Sequence, residues 1–111
     1  MDASKNLKLK KDVFSRTRGG YSRWLLLLCA KCNAQLAVYQ KDGPGILKRL
    51  YLDRIVKPVM SDAKNFTCTK CKTLMGILVI YEKEKRPAYR LFAGAVQKKL
   101  LKENQIDRIK F

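Results

Sequence analysis

Two Cys-x-x-Cys pairs constrain this chain of 111 residues more than any other feature of its sequence. The pairs are CAKC at residues 29–32 and CTKC at residues 68–71, and the chain contains no histidine. Two residues between cysteines allow a tight turn, which we call a knuckle, so that both sulfurs can reach one ion. Tetrahedral zinc takes four ligands, with each sulfur about 2.3 Å from the metal. The spacing therefore predicts one structural zinc ion held by Cys29, Cys32, Cys68 and Cys71.

Disulfides, a redox pair and an iron centre are the competing interpretations of these cysteines. Disulfides are rare in proteins that are not exported, and the apolar run at residues 24–30 is short for a signal peptide and lacks a cleavage site. A thioredoxin-like motif is normally a single pair at the start of a helix, whereas both pairs adjoin strand-like sequence. Iron stays open, because a tetrahedral sulfur site accepts it. A zinc ion with four protein ligands has no open position for water, so no hydrolytic role is expected.

The charge of the chain is strongly one-sided. It carries 25 Lys and Arg against 9 Asp and Glu, a formal net charge of +16. The excess is spread along the whole chain, so a compact domain would repel itself and attract polyanions. A domain this small buries proportionally little apolar surface, and a bound metal would help it fold. The longest apolar run, residues 24–30, is far below the roughly 18 residues that cross a membrane. We therefore expect a soluble, intracellular, cytoplasmic protein without a membrane partner.

The two knuckles head two similar halves, which predict a small, mainly β, metal-stapled domain over residues 24–111. In each half the knuckle leads into an apolar strand that ends at a tyrosine, Tyr39 or Tyr81. A polar turn and a second basic and apolar strand follow, with KRLY at residues 48–51 and YRLF at residues 89–92. An Asp-Gly-Pro-Gly run marks the first turn. Each half is therefore expected to be a knuckle followed by a β-hairpin.

Both ends of the chain and the segment between the halves need separate interpretations. Apolar residues at helical spacing over residues 95–104 predict a short amphipathic C-terminal helix, with one face formed by Val96, Leu100 and Leu101. Residues 1–23 carry scattered apolar side chains among Lys, Arg, Ser and Gly, which predicts a basic flexible tail that is disordered when free. Residues 57–65 are expected to form a linker loop between the halves.

Paired Cys-x-x-Cys knuckles on β-hairpins resemble the zinc ribbon family. The resemblance covers roughly residues 25–92 and rests on the four cysteines and their strand context, with residues 24–28 and Phe66 expected as strands that enter the knuckles. The long stretch between the two pairs implies an extra hairpin or a short helix, and residues 47–55 are the candidate for that helix. Zinc ribbons occur in ribosomal proteins, transcription factors, polymerase subunits and adaptor modules, so the family does not select one function.

The basic regions predict RNA binding, by a ribosomal or ribosome-associated component of a ribonucleoprotein particle that contacts rRNA and neighbouring proteins. RTRGGY at residues 16–21 combines Arg, Gly and an aromatic residue, which suits phosphate contact and base stacking. Many phosphate contacts give affinity without much sequence specificity. The predicted nucleic-acid contacts are Lys8, Lys10, Lys11, Arg16, Arg18, Arg23, Lys31, Lys48, Arg49, Lys70 and Lys72.

The alternative function is a zinc-ribbon factor for protein interaction or for the transcription machinery, acting on DNA-bound complexes. Positive charge alone does not separate RNA from DNA, whereas competition between RNA and duplex DNA does. An enzyme has no support in the sequence, because there is no histidine for general-base work, the acidic residues are scattered and no phosphate-binding loop is present. We therefore predict no catalytic residue and no small-molecule substrate.

Overall fold

The computed structural model describes residues 9–57 and 64–109 of the chain. The helical segments in those ranges are the α-helix α1 (Val13–Thr17) and two 3₁₀ helices, Leu52–Arg54 and Glu103–Arg108. None of them, in the described part of the chain, is long and apolar enough to cross a membrane. The strands are β1 (Ser22–Cys29), β2 (Gln35–Asp42), β3 (Arg49–Tyr51), β4 (Ile55–Lys57), β5 (Asn65–Thr67), β6 (Leu74–Tyr81), β7 (Arg86–Leu91) and β8 (Val96–Leu101).

These strands form two antiparallel four-stranded sheets. The first sheet has the strand order β4-β2-β1-β8, and the second has the order β3-β7-β6-β5. β1 has a hydrogen-bonded neighbour on each side, so that Leu26 lies opposite Val38 of β2 and Lys99 of β8. Each knuckle joins two adjacent strands of one sheet, β1 to β2 in the first and β5 to β6 in the second. The prediction of a mainly β domain with a four-cysteine cluster is confirmed.

The main core contains buried side chains from both sheets. Leu25 and Leu27 of β1 belong to the same buried cluster as Leu50, Phe66 and Tyr89 of the second sheet. The rings of Phe66 and Tyr89 stack with their centroids 5.3 Å apart. Burial of each large apolar side chain stabilises the fold by roughly 1.5–3 kcal/mol. Two of the cysteines are part of this cluster, so the sulfur site continues the apolar core.

A second buried cluster covers the other face of the first sheet. Successive side chains of a strand point to opposite faces, so Trp24 and Leu26 of β1 point away from the main core. They pack with Leu101 of β8 and Ile106 of the last 3₁₀ helix, while Leu9 adds a partly buried contact from the other end of the chain. The apolar run in β1 is continuous because both of its faces are buried, as expected for a central strand.

The amphipathic helix predicted over residues 95–104 is wrong. That stretch forms strand β8, which pairs with β1, and a 3₁₀ helix follows it. Leu101 lies opposite Trp24 and is buried, whereas Leu100 is 64% exposed, so the two leucines alternate as they do in a strand. β1 has backbone N–H and C=O groups along the side that faces away from β2, and these buried groups need partners. Pairing with β8 satisfies them and overrides the helical spacing of a short segment.

The flexible tail predicted for residues 1–23 is wrong for its described part. Lys10 N–H donates to Gln40 Oε1 at 2.7 Å, and Gln40 Nε2 donates to the Lys10 carbonyl at 2.9 Å. Gln40 is 2% exposed, and a buried amide needs such partners, which is one reason for the order of this segment. The predicted boundary at residue 23 also falls inside β1, which begins at Ser22. Residues 1–8 lie outside the described residues.

The two predicted halves differ more than their sequences do. The second half forms the expected hairpin of β6 and β7, but β2 and β3 lie in different sheets, so the first hairpin is wrong. The hydroxyl of Tyr39 explains part of this arrangement, because it accepts a hydrogen bond from the Tyr51 backbone N–H at 2.9 Å and donates to the Arg49 carbonyl at 3.4 Å. Residues 47–55 contain β3 and a 3₁₀ helix, and most of the predicted linker over 57–65 lies outside the described residues.

Candidate metal centre and basic surface

The first knuckle is a closed turn between β1 and β2. Its Asn33 N–H donates to the Cys29 carbonyl at 2.8 Å, and the Cys29 N–H donates to the Ala34 carbonyl at 2.9 Å. Asn33 has a φ of 65°, in the left-handed region that asparagine tolerates better than most residues. The Ala30 N–H donates to the Ala95 carbonyl at 3.0 Å, which ties the knuckle to the start of β8. These bonds fix the backbone that carries the first pair of cysteines.

The second knuckle repeats this geometry between β5 and β6. Its Lys72 N–H donates to the Cys68 carbonyl at 2.9 Å, and the Cys68 N–H donates to the Thr73 carbonyl at 3.0 Å. Lys72 stands at the position of the asparagine in the first knuckle and has a φ of 64°. A lysine does not favour this conformation, so the hydrogen bonds of the turn impose it. The Cys71 N–H also donates to the Cys68 Sγ at 3.5 Å, as expected where a sulfur carries negative charge.

The two knuckles bring all four sulfurs into one cluster. Cys29 Sγ lies 3.7 Å from Cys71 Sγ, and Cys32 Sγ lies 3.5 Å from Cys68 Sγ. All four sulfurs lie within 4.8 Å of one another. A tetrahedron with metal–sulfur bonds of about 2.3 Å has sulfur–sulfur edges of about 3.8 Å. The cluster therefore has nearly the size that one tetrahedral metal ion requires, with each knuckle supplying two ligands.

Hydrogen bonds and burial give the sulfurs unequal affinities for protons. The Thr73 hydroxyl, 3.1 Å from Cys71 Sγ, and the Thr73 backbone N–H lower the pKa of Cys71 to about 6. The Cys71 backbone N–H likewise lowers the pKa of Cys68. The Ala34 backbone N–H lowers the pKa of Cys32, but burial and the other three thiols outweigh it and raise that pKa to about 11. Four adjacent thiolates repel one another, so a bound cation would favour their complete ionisation.

This arrangement can hold one soft metal ion but leaves it little chemistry to perform. Thiolates select zinc or iron over magnesium or calcium. Cys29 and Cys68 are 1% and 0% exposed and belong to the main core, while the other two cysteines are partly exposed. Four protein ligands leave no position for water or substrate on a tetrahedral ion. The cluster therefore suits a structural ion that joins the two sheets at one end of their shared core.

At the other end of β1 and β2, acidic side chains neutralise a buried arginine. Arg54 Nη2 lies 2.6 Å from Asp12 Oδ1, and Arg54 Nε lies 2.8 Å from Asp42 Oδ2. The Arg54 side chain is 1% exposed, and a buried guanidinium without counter-charges would be strongly unfavourable. The hydrogen bond from Arg54 lowers the pKa of Asp12 to about 2. Asp12 also caps α1 through the backbone N–H groups of Phe14 and Ser15, so one carboxylate positions the N-terminal segment in two ways.

A second ionic cluster surrounds Arg86. Its guanidinium pairs with Asp53 at 2.7 Å and with Glu84 at 3.0 Å, and it lies over the rings of Phe14 and Tyr51 at 4.0 and 3.8 Å from their centroids. The Arg86 side chain is 4% exposed. The chain has nine acidic residues, and the described ion pairs place four of them against buried or half-buried arginines. Of the exposed lysines and arginines in the described ranges, Lys85 pairs with Glu82 at 3.1 Å, and the others form no ion pair with a described acidic residue.

Arg18, predicted as a nucleic-acid contact, belongs to this second ionic cluster. Its two Nη atoms lie 2.8 and 2.9 Å from the two carboxylate oxygens of Glu84, and Nη2 also donates to the Tyr51 hydroxyl at 3.1 Å. The pairing with Arg18 lowers the pKa of Glu84. A guanidinium held at both Nη atoms has a structural role in this fold, and the contact of Arg18 with nucleic acid stays a prediction.

The other predicted contacts are distributed over several parts of the surface. Arg23 and Arg49 are half-buried, and Lys10 donates through Nζ to the Asp53 carbonyl at 2.6 Å. Lys8 lies outside the described residues. The remaining predicted side chains are exposed, on the N-terminal segment, before β3 and on the two knuckles: Lys11, Arg16, Lys48, Lys31, Lys70 and Lys72.

One concave part of the surface was missed by the sequence prediction. Two predicted contacts, Lys48 and Arg49, line a groove. Arg90, Phe92 and Lys98 line it as well, and these three residues were not predicted as contacts. The sequence contains one indication of Arg90, because the Arg-Leu pair at residues 49–50 of the first half recurs at residues 90–91 of the second. The chain positions gave no indication that the two arginines would become neighbours, which depends on the pairing of β3 with β7.

Comparisons of this chain with models of protein families, with curated proteins and with solved structures find no match. The fold and the site therefore define its class. It is a mainly β domain of two antiparallel sheets with a four-cysteine cluster that can hold a metal ion.

Proposed function

We propose that this protein is a non-enzymatic RNA-binding domain of the zinc-ribbon type, stapled by one structural zinc ion. Its partners would be an RNA such as rRNA and the neighbouring proteins of a ribonucleoprotein particle such as the ribosome. The observation that carries the proposal is the separation of charges. Arg54 and Arg86 take up acidic partners in the interior, while the exposed cations other than Lys85 form no ion pair with an acidic residue in the described ranges.

Zinc is the ion that best fits the four-cysteine cluster. Its bonds to sulfur are about 2.3 Å long in a tetrahedron, and it needs no particular redox environment. Each knuckle has a residue with left-handed backbone conformation directly after its second cysteine, Asn33 in the first and Lys72 in the second. This shared turn geometry supports the resemblance to zinc ribbons, which rests on paired Cys-x-x-Cys turns. The ion would be held by all four cysteines and would stabilise the contact between the two sheets.

A nucleic acid is supported as the partner because the exposed cations are numerous and widely spaced, and RNA is the nucleic acid that we propose. Lysines lie on both knuckles, on the N-terminal segment and along β8, where Lys98 and Lys99 are exposed. Contacts of this kind recognise phosphates and fix orientation rather than sequence. Four bound thiolates and one zinc ion would lower the net charge of +16 by only about two units. The folded domain would remain strongly attractive to a polyanion.

An enzymatic role has no supporting arrangement among the described residues. The chain has no histidine, and Asp12, Asp42, Asp53 and Glu84 are engaged with arginines. The cysteines are directed at one another rather than at a substrate cavity. A binding function accounts for these features with fewer assumptions.

The test is a salt titration of RNA binding by the intact, zinc-loaded chain. The affinity for a structured RNA should fall steeply with salt, because each phosphate contact releases about 0.7 to 0.9 of a counterion. Replacing the knuckle lysines with glutamine (Lys31→Gln, Lys70→Gln and Lys72→Gln) should reduce the slope by about two to three units.

The matched control carries glutamine at three exposed lysines outside the knuckles, Lys64, Lys83 and Lys102. It changes the charge equally and should reduce the slope less if the knuckles face the RNA. A flat salt response would contradict the proposal. Preference for duplex DNA in competition would replace it with the transcription-factor alternative.

A further inference from the structure

A groove of about 900 Å³ lies between the segment before β3, the end of β7 and the start of β8. Its volume is within the range of roughly 300–1,000 Å³ that is usual for ligand-binding clefts. Four cations line it, at Lys48, Arg49, Arg90 and Lys98, and none of its lining residues is acidic. Ile46, 79% exposed, adds apolar surface at one wall. The groove therefore combines concave shape, apolar surface and concentrated positive charge.

Two of these arginines are nearest neighbours across strands β3 and β7. Arg49 of β3 and Arg90 of β7 are direct cross-strand partners, so their side chains leave the same face of the second sheet. Like charges in such a pair are destabilising. Neither arginine forms an ion pair with an acidic residue in the described ranges, although Arg49 lies over the Tyr81 ring at 4.4 Å from its centroid. An anion between the two guanidinium groups would relieve this repulsion.

A phosphate group is the anion that best fits the two arginines. The guanidinium group is planar and donates parallel hydrogen bonds, which match the oxygens of a phosphate. Lys48 and Lys98 are exposed on the two walls of the groove and can contact adjacent phosphates. Several cations along one cleft suit the successive phosphates of a nucleic-acid backbone better than a single small anion.

An exposed aromatic residue in the same groove points to bases in addition to phosphates. Phe92 directly follows β7, lines the groove and is 44% exposed. Its backbone is held, because its N–H donates to the Met75 carbonyl at 2.9 Å. Aromatic side chains beside a positively charged track are the usual stacking positions for unpaired bases. Bases in a duplex are already stacked and paired, so only a single-stranded segment offers them to Phe92.

We propose that this groove binds a short single-stranded segment of RNA, with phosphates between Arg49 and Arg90 and a base against Phe92. The proposal rests on RNA binding as the function of the domain and names the part of the RNA that is recognised. The knuckle lysines then contact paired or distant phosphates, while the groove selects unpaired nucleotides.

The experiment compares two groove variants with matched controls outside the groove. Arg90→Gln removes one groove cation, and Lys83→Gln removes an exposed cation from the β6–β7 turn. Phe92→Ala removes the aromatic ring, and Ile80→Ala removes an apolar side chain that is 52% exposed and does not line the groove. All four sites are exposed, so bound zinc and thermal unfolding should match the parent protein.

Binding is measured with a short fluorescein-labelled oligouridylate and with an RNA duplex of equal length. Phe92→Ala should weaken binding of the single strand by about fivefold or more, as loss of one stacked base does, and should leave duplex binding within about twofold. Arg90→Gln should weaken single-strand binding more than Lys83→Gln does. A 4-thiouridine oligonucleotide should crosslink to the peptide that contains Phe92.

The possible failures of the two proposals differ. If Phe92→Ala has no effect on the single strand while both RNAs bind with steep salt dependence, the groove proposal is overturned and RNA binding stands. If polyglutamate displaces the oligouridylate at comparable charge concentration and binds more weakly to Arg90→Gln, the groove is an acidic-peptide site and the proposal is also overturned. If no RNA binds at any salt concentration, the proposed function itself fails.

Discussion

The two ends of the β1–β2 pair are stabilised by different chemistry. At one end the knuckles gather four sulfurs, and at the other end Arg54 gathers Asp12 and Asp42 from two other parts of the chain. A metal–thiolate cluster supplies most of its own free energy when the ion binds, whereas a buried ion pair roughly balances its desolvation. The comparison implies that the sulfur end determines whether the domain folds, and that the ionic end determines how the N-terminal segment is placed.

The largest expected effect is the loss of the metal. Structural zinc contributes about 10–16 kcal/mol in zinc-finger peptides, which is as large as the total stability of about 5–15 kcal/mol that is typical of a domain. Chelation of the ion should therefore unfold the protein, as should Cys68→Ser, since Cys68 is fully buried. Circular dichroism together with metal content by native mass spectrometry measures both changes. Lys70→Gln in the same knuckle is the control and should keep the metal and the fold.

A folded and cooperative protein that contains no metal would contradict this prediction. It would also invert the comparison, because the ionic end and the apolar core would then suffice to hold the two sheets together.

An intermediate effect is expected at the ionic end. Arg54→Met leaves Asp42, whose side chain is 5% exposed, without its charged partner, and breaking a buried pair in this way costs about 3–5 kcal/mol. The matched control is Arg90→Met, at an exposed arginine without an acidic partner among the described residues, which should change stability by less than about 0.5 kcal/mol. Urea unfolding of the metal-loaded proteins gives both values. Equal losses in the two variants would show that burial and pairing do not distinguish these arginines.

The smallest expected effect belongs to the charge of Asp12. Asp12→Asn keeps a residue that can cap α1 but removes the carboxylate, which is 38% exposed, so the loss at neutral pH should be about 1 kcal/mol after allowance for solvent screening. The pKa of Asp12 is lowered to about 2 in the fold, and a free aspartate titrates near pH 3.9. The carboxylate therefore stabilises the fold above that pH, and its contribution is lost as the pH falls toward 2.

The difference in unfolding free energy between parent and variant should accordingly stay constant from about pH 7 to pH 5 and shrink below about pH 4. Metal content has to be measured at each pH, because protonation of the thiolates releases the ion. A difference that grows as the pH falls would mean that the proton binds elsewhere in the ionic cluster.

Several features of this domain could be predicted from local sequence. Two cysteines separated by two residues are close in the chain, so a single turn brings their sulfurs together. The strands around Trp24 and Phe66 follow from the apolar, β-branched and aromatic residues in those segments. The prediction failed at Leu100 and Leu101, because six residues fit helical and strand spacing equally well. It also failed for residues 9–23, whose polar composition indicated disorder. This segment is ordered in part because Asp12 pairs with the buried Arg54, which is far away in the sequence.

Local sequence determined the four ligands, the two turns that carry them and the strongly positive charge, since each depends on residues that are close together in the chain. Tertiary structure alone decided which arginines are buried with acids and which face solvent. Arg49 and Arg90 are far apart in sequence and become neighbours only because β3 leaves β2 and pairs with β7. Long-range strand pairing is set by the sum of many burial and hydrogen-bond contributions, and no short segment of the sequence contains that sum.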